Sequence, residues 1–333
     1  MLEKRLLIFM LLSMVYMLPS GLLRSACGDA SGPVKEKYGC VVEQPCPVFS
    51  APCGNGTACI PFRHIKEGFV FVSLEDPEPV DIGDSRWFCI NKGEYVRASS
   101  IEPVEPSSFR GMPISENQFF PFAWVILDSY AAREPGIYFQ PWGQPVSKYT
   151  PVRIMETRKT GLWYWYRISE DRWLEQRRLA VVRKQPRPEE VGPKEKWIDI
   201  DLYEQVLAAY QGDRMVFATL VSSGVRDFPT EEGLYRIWTK ARTAKMSGGE
   251  VGSNYYLLED VPYQMYYQGN FALHGAYWHD NFGIPCSHGC INLSVEDSRW
   301  LFNWTSPSPS RRNWARSSKD EPGTWINIHR IPW

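Results

Sequence analysis

The stretch "HGAYWHDNFGIPCSHGCINLS", which runs from His274 to Ser294, concentrates chemically active side chains more densely than any other part of the chain. It holds three of the five histidines and two of the eight cysteines among 333 residues. Chance is a poor account of such a cluster. Three kinds of site compete for it: a zinc site, a Cys286–Cys290 disulfide, and a thiol nucleophile activated by a histidine.

The residue types favour the thiol nucleophile over the zinc site and the disulfide. A CxxxC spacing is close to known zinc motifs, but a Gly-containing turn lacks the separate knuckles or the helical histidine pair that fix zinc geometry, so we predict no metal. A disulfide suits an oxidising compartment, yet it gives no reason for three neighbouring histidines. A thiol becomes useful as the thiolate, and a nearby imidazole or helix N-terminus lowers its pKa. Cys290 lies just before a helix that Ser294 is predicted to cap, with Glu296 and Asp297 in its first turn.

The same stretch resembles the signature of the L,D-transpeptidase catalytic domain, in which a histidine is followed by a Ser/Thr-His-Gly-Cys-hydrophobic-Asn/Arg block. The resemblance continues through "WIDIDLYEQVLAAYQGD", "FATLVSSG", "PTEEGLYRI" and "YYLLEDVPYQMYYQGNFALHG", and covers about Trp197 to His329. It implies a mainly β catalytic domain over residues 196–330, with one or two helices and no cofactor. The implied reaction is acyl transfer on peptidoglycan stem peptides at the bond between an L-centre and a D-centre.

The resemblance also implies roles for individual residues. Cys290 would be the nucleophile, and His274 would take its proton and return it to the leaving amine. The carbonyl of Gly275 would hold the other ring nitrogen of His274 and thereby fix the tautomer. The backbone N–H groups of His288, Gly289 and Cys290 are the candidate oxyanion donors.

Further residues near the signature have two interpretations each. Ser287 and Asn292 either shape the loop or contact substrate, and Tyr266, Tyr277 and Trp278 either line the cleft or fill the core. We assign His279 no catalytic role. Cys286, which the family does not require, either packs or forms a reversible disulfide with Cys290. The polar insertion "SPSPSRRNWARSSKDEPG" is expected to be a surface loop.

The N-terminal residues have the layout of a secretory signal, which we place at residues 1–26. Lys4 and Arg5 precede a mostly apolar run that is short for a membrane span. An uncleaved signal, or a lipid on Cys27, would instead anchor the protein to a membrane. In each case the bulk of the chain is expected in the periplasm or cell envelope.

Two further β-rich blocks precede the catalytic segment. Residues 36–106 carry most of the cysteines and are predicted to be a disulfide-rich SH3-like barrel; residues 118–186 are predicted to be a second SH3-like domain. In "LWYWYRI" the alternation places Trp163 and Trp165 on one face and Tyr164 and Tyr166 on the other, and we expect barrel core rather than a sugar platform. The pattern over the whole chain therefore predicts a mainly β protein.

Composition narrows the function classes. Formal net charge is −1, with 44% hydrophobic and 14% aromatic residues, so the chain is globular and lacks the basic footprint of a nucleic-acid-binding protein. The signal-like N-terminus and the family resemblance together imply an exported L,D-transpeptidase whose partners are peptidoglycan stem peptides. The alternatives are an L,D-carboxypeptidase with the same acyl-enzyme and a non-catalytic wall-binding protein.

Overall fold

A computed structural model describes residues 37–54, 59–136, 140–308 and 313–330. The predicted signal segment and Cys27 lie outside these ranges. Within them the protein is mainly β, as the sequence predicts, and the described ranges contain a single α-helix. That helix is ten residues long, so no described helix has the length and apolar character that a membrane crossing requires.

The first block consists of short strands separated by turns, as its sequence predicts. A core of small and branched apolar side chains, including Val48, Val70, Val72 and Ile90, fills its interior. A disulfide joins Cys53 to Cys59, while Cys40, Cys46 and Cys89 are free thiols. The strands are β1 (Tyr38–Val41), β2 (Cys46–Val48), β3 (Arg63–Ile65), β4 (Phe69–Ser73), β5 (Val80–Ile82), β6 (Ser85–Asn91), β7 (Glu94–Arg97) and β8 (Ile101–Val104).

The second block is a set of antiparallel strands with aromatic side chains on both faces. Trp165 packs with Trp173 and Ala132, whereas Tyr166 belongs to a separate apolar cluster, so the alternation in "LWYWYRI" does divide these residues between two faces. Both side chains are core rather than surface. The strands are β9 (Met112–Pro113), β10 (Phe122–Val125), β11 (Ser129–Ala132), β12 (Pro141–Val146), β13 (Pro151–Arg153), β14 (Glu156–Thr160), β15 (Trp163–Ser169), β16 (Arg172–Glu175) and β17 (Leu179–Val182).

The third block carries the signature and the helix. Its opening segment forms three antiparallel strands, in which "VLAAYQ" is itself extended and mostly buried. The elements are β18 (Lys196–Asp201), β19 (Val206–Gln211), β20 (Arg214–Leu220), β21 (Gly233–Arg236), β22 (Thr239–Gly248), β23 (Tyr256–Gln268), β24 (Phe271–Gly275), β25 (Ile291–Leu293), α1 (Val295–Trp304), β26 (Trp314–Arg316) and β27 (Trp325–His329).

Two sheets connect the blocks. One sheet of eight strands runs β25-β24-β23-β4-β1-β8, with β22 paired to β23 and β26 paired to β22, so that strands of the first and third blocks share one sheet. The other has the order β21-β27-β18-β19-β20-β9. An apolar cluster that contains Phe122, Trp124, Trp197 and Tyr210 likewise joins the second block to the third. The predicted domain boundaries therefore fall between segments that are packed together.

The α-helix begins where its sequence indicates. Ser294 Oγ accepts a hydrogen bond of 3.2 Å from the backbone N–H of Asp297, which satisfies one of the unpaired donors of the first turn. Leu301 and Phe302 are buried in the large apolar core. The carboxylate of Asp297 also accepts hydrogen bonds from Gly111 N–H, which fastens the chain between the first two blocks to the helix.

A buried lysine stabilises the other end of the helix. Lys240 on β22 is fully buried, and its Nζ donates to the backbone carbonyls of Phe302 and Thr305 at 2.5 and 2.9 Å. Carbonyl groups at a helix C-terminus otherwise lack partners, and a cation there also complements the helix dipole. Burial nevertheless lowers the pKa of Lys240 to about 7.

Replacing Lys240 with methionine is expected to destabilise the protein by about 1–3 kcal/mol, because buried carbonyl groups would lose their donor. The measurement is urea denaturation followed by tryptophan fluorescence. Lys245→Met is the matched control, since Lys245 lies on the same strand and is exposed. Equal midpoints for the two variants would contradict the role assigned to Lys240.

Candidate active site

The strands β24 and β25 bring His274 and Cys290 to one cavity. They pair in parallel, with Leu273 opposite Ile291 and His274 opposite Asn292. Cys290 lies immediately before β25, beside the strand that carries His274. Both side chains line one cavity of about 560 Å³.

His274 is buried and neutral. Its Nδ1 lies 3.1 Å from the carbonyl oxygen of Gly275, and because a carbonyl only accepts, Nδ1 carries the hydrogen and Nε2 keeps a lone pair. Burial lowers the pKa of His274 to about 4, against a weaker opposing effect of that hydrogen bond. The glycine at 275 is required by space, because a Cβ there would lie 2.6 Å from Ser298 Oγ. At neutral pH the imidazole is therefore able to accept a proton.

Cys290 is a free, partly buried thiol. Burial raises its pKa to about 11, and the backbone N–H of Ala272 on the neighbouring strand partly offsets that effect. Its Sγ also lies 3.9 Å from the carbonyl oxygen of Asn270. The resting site thus holds an uncharged thiol and an uncharged imidazole.

Alkylation of Cys290 by iodoacetamide is expected to accelerate about tenfold per pH unit between pH 7 and pH 10, because the thiolate fraction rises with pH below a pKa of about 11. Site-resolved mass spectrometry of digested protein would separate this thiol from the others. A rate that levels off below pH 8 would instead mean that a protonated His274 holds Cys290 as the thiolate.

The loop between His274 and Cys290 is fastened by a segment that sequence reasoning did not single out. The backbone N–H groups of Cys286 and Ser287 both donate to the carbonyl of Ser223, at 3.0 and 3.1 Å. Thr230 Oγ1 donates to the carbonyl of Gly289 at 2.8 Å and accepts from Gly224 N–H. The "VSSG" sequence carries no residue pattern that predicts this contact with the loop. It appeared in the sequence analysis only as part of the segments that resemble the family.

Gly289 has the backbone conformation that its position in the signature implies. Its φ is +108°, and a Cβ there would approach Phe271 to 2.4 Å. Its N–H donates to Ser287 Oγ at 3.1 Å, and that hydroxyl donates to the carbonyl of Cys290. Ser287 therefore shapes the loop, and the Gly289 N–H is engaged within it. Of the three candidate oxyanion donors, the N–H groups of His288 and Cys290 remain for that role.

His279, to which the sequence assigned no catalytic role, contacts three other residues near the cavity. Its Nδ1 accepts from Asn281 N–H at 3.1 Å, so Nε2 carries the hydrogen. Nε2 lies 3.4 Å from Cys286 Sγ and 3.0 Å from the side-chain amide of Asn292. The network favours the amide orientation in which Asn292 presents its otherwise unpaired Oδ1 to this N–H. Burial lowers the pKa of His279 to about 4 and raises that of Cys286 to about 11.

Of the three aromatic candidates, one lines the cavity and two do not. Trp278 lines it, and its ring centroid lies 5.7 Å from that of His274. Tyr277 does not, because it is fully buried and its ring stacks on Tyr38. Tyr266 does not line it either; its ring stacks on Trp314 and its hydroxyl donates to Gln264. Tyr277 is therefore part of the core, whereas Tyr266 is half-buried beside Trp314.

Cys286 and Cys290 are both free thiols in this structure. No group of three or more histidine, cysteine or acidic side chains suited to a metal ion occurs in the described ranges. The ring of His288 is exposed and lies near Phe228 and Tyr256, with centroids 4.5 and 5.4 Å away.

Part of the chain is similar in sequence to known proteins. A similar curated protein, putative L,D-transpeptidase YciB of Bacillus subtilis, is 24% identical over 127 residues, which are 34% of this chain and 62% of that protein. Probable L,D-transpeptidase 3 of Mycobacterium tuberculosis is 32% identical over 94 residues, which are 25% of this chain and 33% of that protein. The chain thus spans less than two thirds of the length of either relative.

A solved structure and a family model also match part of the chain. The NMR structure of the catalytic domain from the Enterococcus faecium L,D-transpeptidase aligns with a TM-score of 0.33 at 22% identity, covering 41% of this chain and 98% of that one. The family model YkuD, the L,D-transpeptidase catalytic domain, matches residues 195–328, which contain the paired strands, His274 and Cys290. This segment belongs to the L,D-transpeptidase (YkuD) catalytic-domain family.

Proposed function

We propose that the protein is an exported peptidoglycan L,D-transpeptidase that works through an acyl-enzyme on Cys290. One observation carries the proposal: an uncharged His274, with its Nε2 lone pair free of the Gly275 hydrogen bond, shares a cavity face with the Cys290 thiol. Family membership of residues 195–328 supports the same chemistry. Acyl transfer requires both a sulfur nucleophile and a group that carries its proton to the leaving amine.

The first half of the reaction forms the acyl-enzyme. The thiol proton passes to Nε2 of His274 as Sγ attacks the carbonyl carbon of the L-centre residue. Because the pKa of the thiol lies well above that of the imidazole, this transfer is uphill in the resting site and takes place together with attack. The N–H groups of His288 and Cys290 stabilise the oxyanion. The protonated His274 then donates to the departing D-amino acid, and a thioester remains.

The second half transfers the acyl group. An acceptor amine enters, attacks the thioester carbonyl, and loses its proton to His274, while Cys290 leaves as the thiol. The Gly275 carbonyl keeps the His274 ring in one orientation through both steps, because Nδ1–H stays engaged. Asn292 and Ser287 hold the loop that carries the oxyanion donors.

The proposal extends to the rest of the chain. Residues 36–106 and 118–186 are proposed as SH3-like domains that bind the cell wall and raise the local substrate concentration. Residues 1–26 are proposed as a signal peptide, which places the protein in the periplasm or cell envelope.

Incubation of the purified protein with a disaccharide-tetrapeptide, followed by mass spectrometry, tests the proposal. A crosslinked dimer is the expected product. Tripeptide without dimer would identify an L,D-carboxypeptidase, in which water replaces the acceptor amine. Absence of both products would overturn the enzymatic proposal and favour a wall-binding protein.

A further inference from the structure

Part of the cavity wall comes from the first block rather than from the catalytic segment. Gly68 and Phe69, at the start of β4, line the same cavity as His274 and Cys290. The side chain of Phe69 is half exposed, although it lies in a block that buries most of its large apolar residues.

The position of Phe69 is fixed by strand pairing. β4 pairs in parallel with β23, so that Phe69 lies opposite Tyr256, and Phe69 N–H donates to the carbonyl of Tyr255 at 2.9 Å. The side chain of Gln44 clamps Gly68 from the other side, with two hydrogen bonds of 2.8 Å. A Cβ at Gly68, where φ is +152°, would lie 2.4 Å from Tyr255 O, so a glycine is required for this approach.

A shared apolar cluster holds the two parts together behind this pair of strands. Tyr38 and Phe71 of the first block pack with Leu258, Val261 and Tyr277 of the third. The rings of Tyr38 and Tyr277 are parallel within 5°, with centroids 3.4 Å apart. Phe69 therefore belongs to a packed framework.

The chemistry of the cavity indicates what Phe69 contacts. Among the described residues that line it, none carries a carboxylate, an ammonium or a guanidinium group. On the third-block side that pairs with β4, the lining includes the apolar or aromatic residues Met246, Tyr255, Tyr256 and Leu258, and Ser253 and Asn254 add uncharged polar groups. Such a wall recognises a hydrocarbon segment through burial rather than through ion pairs.

We infer that Phe69 is a specificity-determining residue that packs against the aliphatic side chain of the acyl-donor residue, the one whose carbonyl Cys290 attacks. The inference rests on the proposed function, because it assigns a subsite for that reaction. The side chain of the attacked residue necessarily enters the cavity with its carbonyl, and Phe69 offers the exposed apolar surface there.

The test compares two synthetic donors that differ only at the attacked residue, one with a long aliphatic diamino acid and one with alanine. Phe69→Ala is expected to lower kcat/KM for the long donor about tenfold and for the alanine donor by less than about twofold, since lost apolar contact affects only the longer chain. Phe69→Leu should restore part of the difference. The matched control is Phe62→Ala, which removes an exposed aromatic ring of the same block outside the cavity.

The outcomes separate the inference from the proposed function. An equal loss for both donors would show that Phe69 merely supports the fold, and an unchanged ratio would show that it makes no contact; each result overturns the inference while the wild type still turns over. Absence of turnover by the wild type would overturn the proposed function and the inference together.

Discussion

Replacing Cys290 with alanine is expected to abolish transpeptidation, with a loss of about 10⁴-fold or more, because the acyl group would have no sulfur to bond to. The fold should survive, since the side chain is only partly buried and the substitution removes one atom from a cavity wall. The measurement is the mass of the intact protein after mixing with donor: the wild type gains the acyl group and the variant does not.

Two comparisons make this result specific. Cys89→Ala removes a free thiol of the first block and should leave both turnover and the adduct unchanged. Cys286→Ala should still form the acyl adduct, because Cys286 contacts His279 rather than His274. An adduct that persists in Cys290→Ala and disappears in Cys286→Ala would reassign the nucleophile to Cys286.

Replacing His274 with glutamine is expected to lower kcat by about 10²–10⁴-fold, the usual contribution of a positioned proton-transfer group. Glutamine fills similar space and keeps polar atoms near the Gly275 carbonyl, but it does not accept the thiol proton at neutral pH. His64→Gln is the matched control, because His64 is exposed in the first block and lies outside the cavity.

The pH dependence of that variant gives a second measurement. Without an imidazole to accept the proton, residual turnover should depend on the thiolate that is already present. Below a thiol pKa of about 11 its fraction rises about tenfold per pH unit, so the residual rate should climb from pH 7 to pH 10. A residual rate that is flat over this range would argue against His274 as the proton acceptor.

Local patterns predicted the parts of the site that depend on neighbours in sequence. The Ser294 cap follows from a few adjacent residues and is confirmed. The proximity of His274 and Cys290 was implied by the family resemblance rather than by periodicity. Parallel pairing of β24 with β25 produces it.

Contacts between distant segments had no local signal. By residue type Tyr277 fits either a cleft or a core, and its stacking on Tyr38 decides for the core. The pairing of β4 with β23 joins residues far apart in the chain, and strand propensity does not specify which partner a strand pairs with. The Ser223 carbonyl fastens the loop by accepting backbone hydrogen bonds. Every residue has a backbone carbonyl, so the sequence does not show which one makes this contact.

The shared sheet has a consequence for excising the catalytic segment. The family match begins at residue 195, yet the hydrogen-bonding partner of β23 at Tyr256–Leu258 lies far upstream in β4. A fragment cut at the family boundary would present that stretch as a bare edge, a template for self-association. It would also uncover the Tyr277 ring and one wall of the cavity. The smallest fragment expected to fold without exposing this edge is thus larger than the segment that the family model matches.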